Sequence, residues 1–144
     1  MKINRNGSAT WKGGLKDGVG SISTESGALK AYPYGFAARF EGQRGSNPEE
    51  LIAAAHTSCY CMELSGLIGK AGGTVKGLVA EAEVSLGPDP AGGLRLTGIA
   101  LTVRGQVEGI DASGFAEVAQ QAKLTCPVSK ALTGVDITLD ASLA

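Results

Sequence analysis

Asn47-Pro48-Glu49-Glu50-Leu51-Ile52-Ala53-Ala54-Ala55-His56-Thr57-Ser58-Cys59-Tyr60-Cys61-Met62-Glu63-Leu64 begins with the clearest start signal in the chain. Asn47 suits an N-cap. Pro48 suits the first helical position, where a missing N–H is no loss. Glu49 and Glu50 sit at the positive end of the helix dipole. The pattern predicts a helix from Pro48 to about Lys70, stopped by Gly72-Gly73. Its middle is apolar on nearly all sides, which belongs to an interior helix and not to a surface one. A chain of 144 residues has few elements to cover such a helix, so a second copy of the chain is expected to cover part of it. His56 and Glu63 interrupt the apolar run and argue against a membrane span.

Upstream, the first forty residues read as strands. Thr10-Trp11 lead into the Gly13-Gly14 turn, and Val19, Ser21 and Ser23 alternate with Gly20, Ile22 and Thr24. Residues 36–41 alternate as well, with Phe36, Ala38 and Phe40 on one face and Ala37, Arg39 and Glu41 on the other, so this segment too is expected as a strand. Downstream, residues 75–86 read as a strand with Leu78, Ala80, Ala82, Val84 and Leu86 on its apolar face. A Gly/Pro-rich hairpin loop follows at 87–93. The return strand covers 94–107. Its apolar phase shifts after Leu94 and Leu96, which places a bulge at Gly98. Asp111 or Ser113 opens a helix over 115–123, Cys126-Pro127 opens a short helical turn over 128–132, and residues 137–143 alternate as a closing strand. Strands, a long helix, a hairpin, a helix pair and a strand make an α+β fold, expected as one domain over 1–144.

Composition excludes several classes. Thirteen Lys+Arg against fourteen Asp+Glu leave a net charge of −1, which suits neither a nucleic-acid binder nor a partner of anionic membranes. A hydrophobic content of 43% with 19% charged residues is globular. The 22 glycines are dispersed and mark turns between short elements. The opening Met1-Lys2-Ile3-Asn4-Arg5-Asn6-Gly7 lacks the apolar core of a signal peptide. The odd count of three cysteines fits thiols in a reducing, cytoplasmic setting better than a secreted disulfide framework.

Candidate chemistry gathers on the long helix. At 100° per residue with His56 at zero, Glu49 falls at about 20°, Glu63 at about 340° and Cys59 at about 300°. These few polar groups of an apolar helix form one stripe. Each is either a satisfied core or edge residue or part of a site, because burying them unpaired is costly. Glu50, at the third helical position, is expected to reach back to the backbone of Asn47 in a capping box. Glu49 has only the dipole to explain it and is the better candidate for a charged partner. Arg39, just upstream, offers a bidentate fork or is simply an exposed residue. Cys59 and Cys61 point about 200° apart on a helix, which disfavours a disulfide between them and leaves Cys61 as a core residue. Cys126 stands beside a helix start, where thiolate is favoured. Cys59 and Cys126 are far apart in sequence but free to meet in three dimensions. One His, no CxxC and a Cys-x-Cys too tight for a helix argue against a metal site.

The stretch from Asn47 through His56 into Cys59 resembles the OsmC (osmotically inducible protein C) family. So do Tyr34-Gly35-Phe36 and Arg39-Phe40-Glu41-Gly42 before it, and Ser23-Thr24-Glu25-Ser26-Gly27, Cys126-Pro127-Val128-Ser129 and Ile137-Thr138-Leu139-Asp140 elsewhere. The match spans nearly the whole chain. It points to the OsmC branch more than to the sister organic hydroperoxide resistance branch. The resemblance implies antiparallel sheets wrapped around long central helices in an intertwined homodimer. It also implies a thiol-dependent peroxidase that favours organic over inorganic hydroperoxides and serves defence against oxidative or osmotic stress. By position it assigns Cys59 as the peroxidatic cysteine, Cys126 as the resolving cysteine, and Arg39 with Glu49 as the activating pair. Cys61 and Glu63 lie outside the family pattern.

The implied cycle begins with the Cys59 thiolate, which burial disfavours and a nearby Arg39 guanidinium restores, with Glu49 holding Arg39. Attack on the O–O bond gives Cys59 sulfenic acid and an alcohol. Cys126 closes a disulfide, and an external dithiol, by resemblance a dihydrolipoyl protein, reduces it. No metal, flavin or haem is called for. Glu49 and Cys59 lie ten residues, about 15 Å, apart on a straight helix. So either Arg39 bridges the gap or the pair serves the Cys59 of the other subunit. His56, one turn from Cys59, is expected to be structural, with His56→Asn keeping most activity. A Cys59–His56 hydrolase and a non-catalytic redox-sensing or ligand-binding module are the rival readings.

Overall fold

The computed structural model describes residues 1–144, which divide into two compact units, Met1–Leu51 and Ile52–Ala144. In the first unit β1 (Gly7–Lys12), β2 (Val19–Thr24) and β3 (Tyr32–Tyr34) form an antiparallel meander in chain order. Trp11 and Tyr34 tilt against each other across it, ring centroids 5.4 Å apart.

Next comes a short helix, α1 (Phe36–Phe40), where alternation suggested a strand. The physical reason is that 36, 38 and 40 contain an i, i+4 pair. Wound as a helix, the chain stacks the Phe36 and Phe40 rings at 4.8 Å, and the Arg39 and Glu41 amides close onto the Gly35 and Ala37 carbonyls.

The long helix α2 (Pro48–Lys70) has the expected bounds. It ends as the glycines suggest: Gly72 takes φ +86°, open to glycine without strain, and the Gly73 N–H donates to the Ile68 carbonyl at 2.9 Å.

In the second unit β4 (Thr74–Pro88) and β5 (Leu94–Glu108) form the long hairpin, and β6 (Ile137–Leu143) completes a sheet of order β4-β5-β6. Opposite Ser85 and Leu86 the register skips Thr97, so the bulge lies beside Gly98 as expected. A second shift skips Lys76. The sheet is mixed rather than wholly antiparallel, because β6 runs parallel to β5. The connection between them passes through α3 (Ala112–Thr125) and α4 (Pro127–Ala131), long enough for a crossover return. Asp111 caps α3 by accepting from the Gly114 N–H at 2.8 Å.

The core of this unit joins Tyr60, Leu64 and Ile68 of α2, Ile99, Leu101 and Val103 of β5, and Phe115, Ala119 and Ala122 of α3, with Cys126. Gly105 makes the packing of α3 possible: a Cβ there would come within 2.7 Å of the Phe115 ring. The Tyr60 hydroxyl donates to the Ala119 carbonyl at 2.8 Å, tying α2 to α3.

Although α2 is apolar nearly all round, a single copy of the chain buries only its His56, Tyr60, Leu64 and Ile68 stripe, and Met62 is left largely exposed. By length and composition α2 could cross a membrane. Its polar residues His56 and Glu63 are instead hydrogen-bonded to residues around α4, which suits a core helix.

Candidate active site

The first unit assembles an ion pair at the start of α2. Asn47 Oδ1 accepts from the Glu50 N–H at 2.8 Å, which is one half of the expected capping box. The other half differs: the Glu50 carboxylate does not turn back to Asn47 but accepts from the Ser46 hydroxyl at 2.7 Å. Ser46 is itself buried, so this bond satisfies a group that water cannot reach.

Glu49 is thereby left to Arg39. The guanidinium of α1 grips its carboxylate with two N–H groups, Nε to Oε2 at 3.2 Å and Nη2 to Oε1. The Glu49 side chain is 13% exposed and that of Arg39 34%, so the fork is partly shielded from water. Beside it opens a cavity of about 240 Å³ whose walls include Trp11, Leu15, Tyr34, Phe36, Phe40 and Arg39. It is an apolar pocket with one cation at its edge.

The second unit assembles the thiols. Cys126 is buried at the joint between α3 and α4: its N–H closes α3 on the Ala122 carbonyl, and its carbonyl opens α4 by accepting from Lys130. Pro127 follows at the first helical position. Cys59, half-buried on α2, meets this joint. The Val128 backbone N–H donates to its sulfur, and the Cys59 thiol in turn donates toward the Cys126 sulfur. All three cysteines are free thiols. Burial pushes the Cys59 pKa up. The Val128 N–H opposes that rise, and Cys126 and the Glu63 carboxylate add to it. These partners all belong to the second unit, and none of them is a cation or an imidazole. Cys61 is half-buried, and burial raises its pKa too.

The polar stripe of α2 is paired. His56 is fully buried and shares a 2.7 Å hydrogen bond between Nε2 and the Ser129 hydroxyl, while Nδ1 has no partner. Burial holds its pKa below the ordinary histidine value, so the ring is neutral near pH 7. Glu63 accepts from the Thr125 hydroxyl at 2.6 Å. Sequence reasoning missed Thr125 and Ser129 as partners. The available signal was the stripe itself, since each costly polar group on an apolar helix implied a mate.

Two three-stranded sheets and a long apolar helix, with Cys59 and Cys126 brought together where α3 passes into α4, define an α+β protein with a paired-thiol site. A family model for OsmC-like proteins matches residues 41–140. The chain is 50% identical to Peroxiredoxin OsmC of Escherichia coli (strain K12) over 143 residues, covering 99% of each chain. Among solved structures it superposes on the organic hydroperoxide resistance protein OhrB of Bacillus subtilis with a TM-score of 0.75 at 30% identity, covering 95% of this chain and 98% of that one. It likewise matches the organic hydroperoxide resistance protein OsmC of Legionella pneumophila with a TM-score of 0.77 at 26% identity, covering 98% and 99%. The chain belongs to the OsmC-like family.

Proposed function

We propose that this chain is a thiol-dependent peroxidase that reduces organic hydroperoxides to alcohols through Cys59 and Cys126. The observation that carries the reading is the direct meeting of these two free thiols at the joint of α3 and α4. The names of the relatives, a peroxiredoxin and organic hydroperoxide resistance proteins, support the same chemistry.

The Cys59 thiolate attacks one peroxide oxygen. The O–O bond breaks, the alkoxide leaves and takes a proton as alcohol, and Cys59 becomes the sulfenic acid. The Cys126 sulfur then attacks the Cys59 sulfur, expels hydroxide as water and closes the disulfide. An external dithiol supplies two electrons and two protons to restore both thiols. A lipoylated protein fits that role.

Burial alone would keep Cys59 protonated, so a cation has to act on it. Arg39 is that cation, and Glu49 holds it by the two-pronged contact. Guanidinium N–H groups also stabilise charge on the departing oxygen. The apolar cavity beside Arg39 suits a bulky organic group better than hydrogen peroxide.

The active form is a homodimer in which residues 1–144 of each copy act as one OsmC-like domain. The uncovered face of α2, with Met62 outermost, is the surface a second copy covers. Because Glu49 and Cys59 are ten residues apart on one helix, the Arg39–Glu49 pair serves the Cys59 of the other subunit. Free thiols suit a cytoplasmic setting.

Consumption of an alkyl hydroperoxide is compared with a dithiol and with a monothiol, for wild type, Cys59→Ser and Cys126→Ser. Cys59→Ser is expected to be inactive and Cys126→Ser to stall or to depend on outside thiol. Multiple turnovers in Cys126→Ser at the wild-type rate would overturn the two-cysteine cycle. Full activity in a verified monomer on dilution would overturn the shared site.

A further inference from the structure

The oxidation chemistry uses neither the buried His56 ring nor the Glu63 carboxylate, yet both are committed to specific partners. On α2, His56 precedes Cys59 by three residues and Glu63 follows it by four, so the three share one face. Their partners flank the other thiol in the same way: Thr125 immediately precedes Cys126, and Ser129 follows it by three. One bond fastens the last residue of α3 and the other fastens α4. Between them Cys126 has φ −55° and ψ 123°, an extended joint about which the two helices could otherwise turn.

We propose that the His56–Ser129 and Glu63–Thr125 hydrogen bonds form a clamp that positions the Cys126 sulfur for capture of oxidised Cys59. The four residues are positioning residues for the second chemical step. This inference rests on the peroxidase reading and assigns what governs the fate of its sulfenic acid.

Disulfide closure is geometrically demanding: the two Cβ atoms must come to about 3.5–4.5 Å with a dihedral near a right angle. A sulfenic acid that misses this geometry persists and meets a second hydroperoxide. That peroxide transfers one oxygen to sulfur, giving sulfinic acid and a second alcohol, and leaves Cys59 inactive. The clamp biases the competition toward disulfide and water. Its His56–Ser129 arm is almost fully buried, so no water competes for the bond. Its Glu63–Thr125 arm is only partly buried but joins a carboxylate to a hydroxyl.

The test is a single-turnover reaction of the reduced protein with tert-butyl hydroperoxide, acid-quenched and read by mass for thiol, sulfenic acid, disulfide and sulfinic acid. In Ser129→Ala and in Thr125→Val the loss of Cys59 thiol should keep its wild-type rate. Disulfide formation should slow about 5- to 10-fold, the effect of one lost hydrogen bond. The sulfinic fraction should rise by a similar factor. Thr125→Ser, which keeps the hydroxyl, should restore the wild-type partition. A merely structural role would slow both steps together, and that result, or an unchanged partition in the two variants, overturns the clamp. Thr125 is not fully buried, so Thr125→Val decides the matter even if Ser129→Ala fails to fold. A wild-type Cys59 that hydroperoxide leaves reduced overturns the peroxidase reading along with the clamp. A wild type that cycles while both variants partition as it does overturns the clamp alone.

Discussion

Replacing Glu49 by Gln tests whether Arg39 is held for catalysis or simply decorates the surface. The carboxylate accepts two guanidinium N–H groups, whereas a glutamine amide could accept from only one while presenting its own N–H group to the other. A hydrogen bond to a charged group contributes about 1.5–3 kcal/mol when shielded. The Arg39 side chain is 34% exposed, so solvent screening brings the expected loss down to about 1–2 kcal/mol. If that energy keeps Arg39 in its working rotamer, kcat/KM for an alkyl hydroperoxide falls about 5- to 30-fold. The assay is a double-mutant cycle on peroxide consumption with Glu49→Gln, Arg39→Ala and the pair. Arg39→Ala should lose more than Glu49→Gln, and Glu49→Gln should cost almost nothing further once Arg39 is gone, because Glu49 acts through it. Losses that simply add, or a Glu49→Gln enzyme with wild-type kcat/KM, would refute the tether.

Gly105→Ala should destabilise the protein by about 1–3 kcal/mol, because the new methyl meets the Phe115 ring at 2.7 Å and Leu78 at 3.2 Å. Denaturant unfolding reads this as a lower midpoint with unchanged slope, and an unchanged midpoint would contradict the packing of α3 on β5. For His56, burial lowers the folded-state pKa below 6.5, so the unfolded chain takes up the proton first as pH falls. The resulting stability is complete above about pH 6.5 and is lost as pH falls from there toward the folded value. Unfolding at about pH 7.5 and about pH 5.5 should show a drop for wild type and a smaller one for His56→Asn; equal drops would show that His56 is not the group being titrated.

Much of this fold can be read from residue order. The α2 start was specified by Asn47-Pro48-Glu49-Glu50 and its end by Gly72-Gly73, since caps act locally and independently of the rest of the chain. The faces of β4 and β6 followed from strict alternation, and the phase slip before Gly98 marked the bulge. Alternation specifies which face a side chain takes but not strand direction, so it was silent on β6 lying parallel to β5. It also failed on α1, because five residues cannot separate a period of two from an i, i+4 pair when Phe36 and Phe40 satisfy both. Of the candidate site, assigning a capping role to Glu50 left Glu49 in need of a charged partner, but the residues alone did not choose Arg39, which the family resemblance supplied; Glu50 itself turns to Ser46 and not to Asn47. The meeting of Cys59 with Cys126 depends on how α2 packs against the α3–α4 joint, information that is spread over the whole core. The partners Thr125 and Ser129 were hidden for the same reason: a lone hydroxyl carries no periodic or spacing signal.

The charge state of Cys59 in the assembled protein tests the central claim most directly. It is measured as the pH dependence of iodoacetamide alkylation with Cys61→Ser and Cys126→Ser leaving Cys59 as the only thiol. Burial pushes this group up, so a thiolate near neutral pH requires a cation beside it. The expected result is a reactive thiolate titrating below the ordinary thiol value, moved upward by Arg39→Ala. A Cys59 that keeps its proton through neutral pH, whether or not Arg39 is present, would contradict the mechanism.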